Sequence, residues 1–179
     1  MALIDRAKVA SFWAAADAAA NSDAKGALLE ELICYLFEQI PGVGVFRRNA
    51  LNAFGTEEID IALFNARHED GLYFLEDNML LVECKNWSKP VDGQEIVYFA
   101  HRLMTRNLRY GVLVAASGIT GSAGHLERAR YEIGIALSVL HVRILVLVRE
   151  ETMGLADGRD LVQLLLGKRL ELDATGTCF

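Results

Sequence analysis

Two apolar stretches of this chain carry charge where their neighbours call for none. Leu80-Leu81-Val82-Glu83-Cys84-Lys85 and Glu58-Ile59-Asp60-Ile61-Ala62-Leu63 both read as strands. Side chains on a strand alternate between two faces. Glu83 and Lys85 therefore point one way while Val82 and Cys84 point into the core, and Asp60 stands opposite Ile59 and Ile61. Pairing of the two strands would make Asp60 and Glu83 neighbours on one face. Adjacent carboxylates repel, and charge set in apolar strands costs free energy unless it is compensated. A divalent cation would compensate it, and carboxylate oxygens are hard ligands that favour Mg²⁺ or Mn²⁺. Lys85 would then stand beside the metal, able to orient a water and stabilise its hydroxide form, at a site suited to a phosphodiester. The plain alternative is a surface ion pair, because Glu-x-Lys is common on exposed strand faces. Three ionisable residues interrupting two strongly hydrophobic strands weigh against it.

Those strands need a frame. Residues 3–20 read as an amphipathic helix, and Asn21-Ser22-Asp23 as a break and N-cap. Over 25–40, Leu28, Leu29, Leu32, Ile33, Leu36, Phe37 and Ile40 form one buried helical face, ended by Pro41-Gly42. Residues 43–47 are a short strand candidate, and strands over 58–64 and 79–85 follow. The acidic stretch 65–78 between them reads as a hairpin connection with room for extra strand at 72–75. After Pro90, the pattern predicts a helix over 93–108, an unbroken apolar strand over 111–116 and a long helix over 121–139. A second buried strand over 143–148, a final helix over 158–166 and a frayed tail over 170–179 complete the chain. Helix-linked strands late in the chain imply parallel pairing, and the early hairpin antiparallel pairing. The expectation is an α/β fold with a mixed central sheet of about five strands flanked by helices on both faces.

With 179 residues, a 53% hydrophobic fraction and 2 prolines, the chain suits one domain with a sizeable core and excludes disorder. No stretch reaches membrane-spanning length, Asp5, Arg6 and Lys8 break any leader-like run, and three cysteines without C-x-x-C fit reduced thiols. A cytoplasmic location follows as an expectation. His68, His101, His125 and His141 lack zinc-ligand spacing. The net charge of −6 is a poor prior for binding phosphate backbones. It is unevenly spread, however: residues 26–83 carry 3 basic and 11 acidic side chains, and residues 84–149 carry 9 basic and 4 acidic ones.

Asp60, a gap of about twenty residues and then Glu83-Cys84-Lys85 resemble the PD-(D/E)xK nuclease superfamily, with Ile59 where proline can precede the Asp. Lys25-Gly26-Ala27-Leu28-Leu29-Glu30 resembles the KGxxFE helix opening of its Mrr-type restriction-endonuclease branch, with Leu29 in place of the usual aromatic. Residues 111–123 resemble that branch's later strand and loop. The resemblance implies a restriction-endonuclease-like fold, with a nuclease core over 25–148 between an N-terminal helix (1–22) and a C-terminal helix and tail (150–179) in a single domain, 1–179. By position it makes Asp60 and Glu83 metal ligands, with the Cys84 backbone carbonyl as a third. It makes Lys85 catalytic, puts Glu30 near the metal directly, through water or on a second ion, and sets Gln94 facing the site. Glu31, Glu57 and Glu58 compete for these roles from registers that fit less well.

Arg102, Arg106 and Arg109, at i, i+4 and i+7, read either as a phosphate-contacting ridge or as a solvated face balancing acids elsewhere. Arg47 and Arg48 offer the same choice. Gly118, Gly121 and Gly124 lack the Walker lysine and read as a tight strand-to-helix turn, with Thr120 or Ser122 as the cap. Trp87 and Tyr98 can stack on bases or pack at the rim. The leading expectation is a Mg²⁺-dependent endonuclease acting on DNA, in restriction or defence against foreign DNA, with a homodimer or partner subunit supplying specificity. A structure-selective nuclease (resolvase-like, or acting on RNA) and a non-catalytic binding domain of the same fold are the alternatives.

Overall fold

The computed structural model describes residues 2–52, 55, 57–121 and 128–177. Five strands, β1 (Val43–Leu51), β2 (Glu58–Asn65), β3 (Met79–Lys85), β4 (Tyr110–Ala115) and β5 (Arg143–Leu147), form one sheet in the order β1-β2-β3-β4-β5. The first three pair antiparallel and the last three parallel. Six helices among the described residues surround it: α1 (Arg6–Ala18), α2 (Ser22–Phe37), α3 (Gly93–Thr105), α4 (Ala129–Ser138), α5 (Arg149–Gly154) and α6 (Gly158–Thr175). This is the expected α/β architecture, and β4 is buried along its whole length.

Aspartate and asparagine caps set the helix starts. Asp5 accepts from Ala7 and Lys8, so α1 begins three residues later than the pattern implies, and Leu3 bridges to Asp157 instead. Asn21, Asp92 and Asp157 cap α2, α3 and α6 in the same way. The Thr120 hydroxyl accepts from the first N–H of α4 (Ala129), and residues 122–127, with Ser122, Gly124 and His125, lie outside the described residues. Gly118, at φ +74°, makes the turn that leaves β4. Gly111 matters for packing instead. A Cβ there would lie 2.7 Å from the Phe99 ring, so its absence lets β4 and α3 come together.

Three expectations need correction. The stretch 72–75 is turn rather than strand, because the buried Asn65 amide donates to the Leu72 and Asp77 carbonyls and curls the connection inward. Strand β1 runs to Leu51, past Arg47, through an irregularity between Val45 and Arg47. The C-terminal segment is not frayed: α6 continues to Thr175, Leu172 is fully buried, Arg169 donates to the Phe74 carbonyl and Asp173 pairs with Arg143. Helix α5 is an addition to the expected order, and at only 6 residues it is too short to show a helical period in the sequence.

Leu172→Ala should therefore destabilise the protein by about 2–5 kcal/mol in urea unfolding, while Leu170→Ala, at an exposed position of the same helix, changes stability by less than about 0.5 kcal/mol.

Candidate active site

The β2–β3 ladder runs from Phe64↔Met79 to Ile61↔Val82. One step further would bring Asp60 opposite Glu83, and there the Cys84 N–H donates to Asp60 Oδ2 at 2.7 Å. This end of the hairpin opens into a cleft of about 370 Å³ lined by Glu30, Asn49, Glu58, Asp60, Cys84 and Lys85, among others. Helix α2 brings Glu30 to it, buried to 8% exposure, while Glu31 on the next helical position is exposed. Glu30, Asp60, Cys84 and Lys85 thus meet in one concavity although the sequence separates them by up to 55 positions.

Each carboxylate is compensated differently. Glu30 pairs with Arg48 of β1 at 3.3 Å. Glu83 is buried and takes two cations, Lys85 Nζ at 2.9 Å on one oxygen and Arg102 at 2.6 Å on the other. Lys85 also reaches Glu95 of α3 at 3.0 Å. Asp60, half-buried, makes no ion pair among the described residues. Loss of hydration and then the Glu83 charge push its pKa up to about 7, against the pull of the Cys84 N–H and Lys85. Burial alone would lower the Lys85 pKa, but Glu83 and Glu95 outweigh it and hold the ammonium above its usual value, so it stays protonated at neutral pH. The Cys84 thiol, buried and facing carboxylates, is pushed well above its ordinary range, and Cys34 is raised by burial to about 11. Neither thiol is a nucleophile at neutral pH.

Two expectations about position do not match the structure. Gln94 does not face this cleft: its side-chain amide donates to the Tyr98 hydroxyl at 2.6 Å, and it lines a separate cleft with Asp92, Val97, Arg128 and Glu132. The arginine ridge is not one helical face either. Helix α3 ends at Thr105, so Arg109 lies beyond it, and the three guanidinium groups bind Glu83, Glu57 and Glu76 respectively. The neighbour of Gln94, Glu95, reaches the site instead. Glu95 and Arg102 sit two helical turns apart and match Lys85 and Glu83 in charge, a complementarity present in the sequence but visible only once the seat of α3 on the sheet is known. Asn49, which no sequence signal singles out, lines the cleft with φ at +48°, a conformation that asparagine tolerates better than most residues.

Among the described residues no group of three His, Cys, Asp or Glu side chains is gathered tightly enough to hold an ion. The donor chemistry nevertheless fits a hard cation, since Asp60 is a half-buried acid with no ion pair among the described residues, and the Glu83 charge reaches it although Glu83 itself does not line the cleft. No described helix is long and apolar enough to cross a membrane.

A five-stranded mixed sheet between helices, with Asp, Glu-x-Lys and a helix Glu at one end, defines a restriction-endonuclease-like domain. The sequence matches the Mrr catalytic-domain family, restriction endonuclease, over residues 22–165, and the chain belongs to that family. It is thus a nuclease domain of the hydrolase class. No curated protein matches the chain.

Because Asp60 keeps its proton in the folded state well above the usual carboxylate value, its contribution favours the folded state below about pH 4 relative to higher pH. That contribution falls as pH rises from about 4 to 7 and levels off above that. Asp60→Asn retains an acceptor for the Cys84 N–H. In metal-free urea titrations it should raise stability at pH 8 by on the order of 3 kcal/mol and leave pH 4 unchanged.

Proposed function

We propose that the chain is a divalent-metal-dependent endonuclease that hydrolyses phosphodiester bonds of DNA, serving restriction or defence against foreign DNA. The observation that carries this reading is Asp60: a half-buried carboxyl group with no ion pair among the described residues, lining a cleft with Glu30 and Lys85 and within reach of the Glu83 charge. Asp60 and Glu83 would hold Mg²⁺ or Mn²⁺ with the Cys84 carbonyl, and Glu30 would join them directly or through water. When bound, such an ion neutralises phosphate charge and acidifies water.

The chain's own residues do the rest. Lys85 is cationic at neutral pH, so it acts as a hydrogen-bond donor rather than a base. It orients the attacking water and stabilises the negative charge that grows on the phosphate oxygens. Glu95 and Glu83 fix the ammonium in place, and Arg102 fixes Glu83. Gln94, turned towards Tyr98, takes no part in this reading. The entire chain works as one domain, with target choice supplied by a second copy or a partner subunit in the cytoplasm.

The test is cleavage of plasmid, single-stranded, branched and RNA substrates with Mg²⁺ or Mn²⁺. Plasmid nicking is expected, with Lys85→Ala and Asp60→Asn each lowering the rate by about 10²–10³-fold and Gln94→Ala leaving it near wild type. Equal nicking by wild type and Lys85→Ala would overturn the assignment, and a preference for branched DNA or RNA would redirect it.

A further inference from the structure

Beside the acidic cleft lies a second one of about 490 Å³, which shares Ser22, Asn86 and Trp87 with it. Its lining contains no acid, and its cations are Lys25 and Lys89. Neither lysine makes an ion pair among the described residues, whereas Arg48, Arg102, Arg106 and Arg109 all do. Asp17, the acid whose field Lys25 reaches, is already held by two hydrogen bonds from Arg149. The floor between the two clefts is pinned. The Asn86 amide donates to the Lys25 carbonyl at 3.1 Å and the Ser117 hydroxyl to the Trp87 carbonyl at 2.6 Å. Lys85 and Lys89 both lie over the Trp87 ring, at 5.2 and 5.6 Å from its centroid. The indole therefore links the lysine of the acidic cleft to the cations of the basic one.

We infer that this acid-free cleft, framed by Lys25, Asn86, Trp87 and Lys89, binds the DNA backbone next to the phosphate that is cleaved. The inference rests on the nuclease reading of the adjoining cleft. Carboxylates repel a phosphodiester strand everywhere except where a cation sits on them, so the strand needs unpaired positive charge directly beside the site. Lys25 and Lys89 supply it, and Arg102, Arg106 and Arg109 do not, because carboxylates already occupy them. Trp87 holds Lys89 in place and stiffens the path between the clefts.

The test is binding of a fluorescein-labelled DNA duplex by anisotropy over a range of salt, in Ca²⁺ with the duplex checked for intactness. Each phosphate contact contributes about 0.9 to the slope of log affinity against log salt. Lys25→Ala/Lys89→Ala should lower the slope by about 1.8 and weaken binding by roughly fifty-fold at ~0.1 M salt. Arg67→Ala/Arg159→Ala removes the same charge from exposed positions outside both clefts and should leave the slope unchanged. Trp13 is buried, so quenching of indole emission by the duplex reports on Trp87 and should accompany binding. The inference falls if the two double variants behave alike, if the wild type does not bind, or if an RNA duplex of the same sequence binds more tightly. Loss of slope in Lys25→Ala/Lys89→Ala without Mg²⁺- or Mn²⁺-dependent cleavage by wild type would leave the track standing and overturn the nuclease reading. Cleavage with an unchanged slope would do the reverse.

Discussion

The structure turns on the cost of setting Asp60 and Glu83 into one end of an otherwise apolar hairpin. Two anions in a low-dielectric setting repel each other and lose hydration. The fold answers at Glu83 with two cations from two elements, Lys85 of β3 itself and Arg102 of α3. Glu95 then balances Lys85 from the same helix. The seat of α3 on the sheet is thus specified by charge at Glu83 and Lys85 of β3 as well as by the close approach of Phe99 and Leu103 to Gly111 of β4. Asp60 receives a main-chain N–H, and its raised pKa is the remaining, uncompensated part of the cost.

This arrangement also accounts for the acidic balance of a nuclease domain. The arginines that pair near the site are committed inward or to neighbouring carboxylates, where they support the hairpin and its connections. Arg48 holds Glu30, Arg106 holds Glu57, and Arg109 ties its segment to Glu76. Their charge is offset by those carboxylates. Counting basic residues along the chain therefore overstates the positive potential of residues 84–149. Lys25 and Lys89, without ion pairs among the described residues, put positive charge instead at the start of α2 and in the segment after β3.

The elements were legible in the sequence where one physical signal dominated. The periodic apolar face of α2, the unbroken apolar run of β4 and the alternation in β2 and β3 each describe an element that forms, although α2 begins and ends three residues before the 25–40 read from its pattern. The pair Asp60 and Glu83 was legible because charge inside those runs is anomalous. What sequence could not show depended on how elements cross. Gln94 and Glu95 differ by one helical step of about 100°, and only the orientation of α3 on the sheet decides which of them reaches Lys85. The spacing of Arg102, Arg106 and Arg109 fits a helix that in fact stops at Thr105. The end of α6 resembles a loose tail because its apolar residues are sparse, yet Leu172 is buried by the neighbouring elements.

The ion pairs at Glu83 bear on how such a site tolerates the absence of metal. A structural metal site commonly leaves its ligands without partners until the ion binds, and the fold then depends on the ion. Here Lys85, Arg102 and Arg48 neutralise Glu83 and Glu30 within the protein itself, so the hairpin and α2 hold their places on the chain's own charges. Of the three carboxylates, Asp60 alone is left in a state that a cation would relieve. The site is therefore preorganised at two of them and held ready at the third. In the proposed reading a cation beside Asp60 would find Glu83 and Glu30 already held by their ion pairs, and Glu95 would still hold Lys85 if Glu83 turned towards the ion.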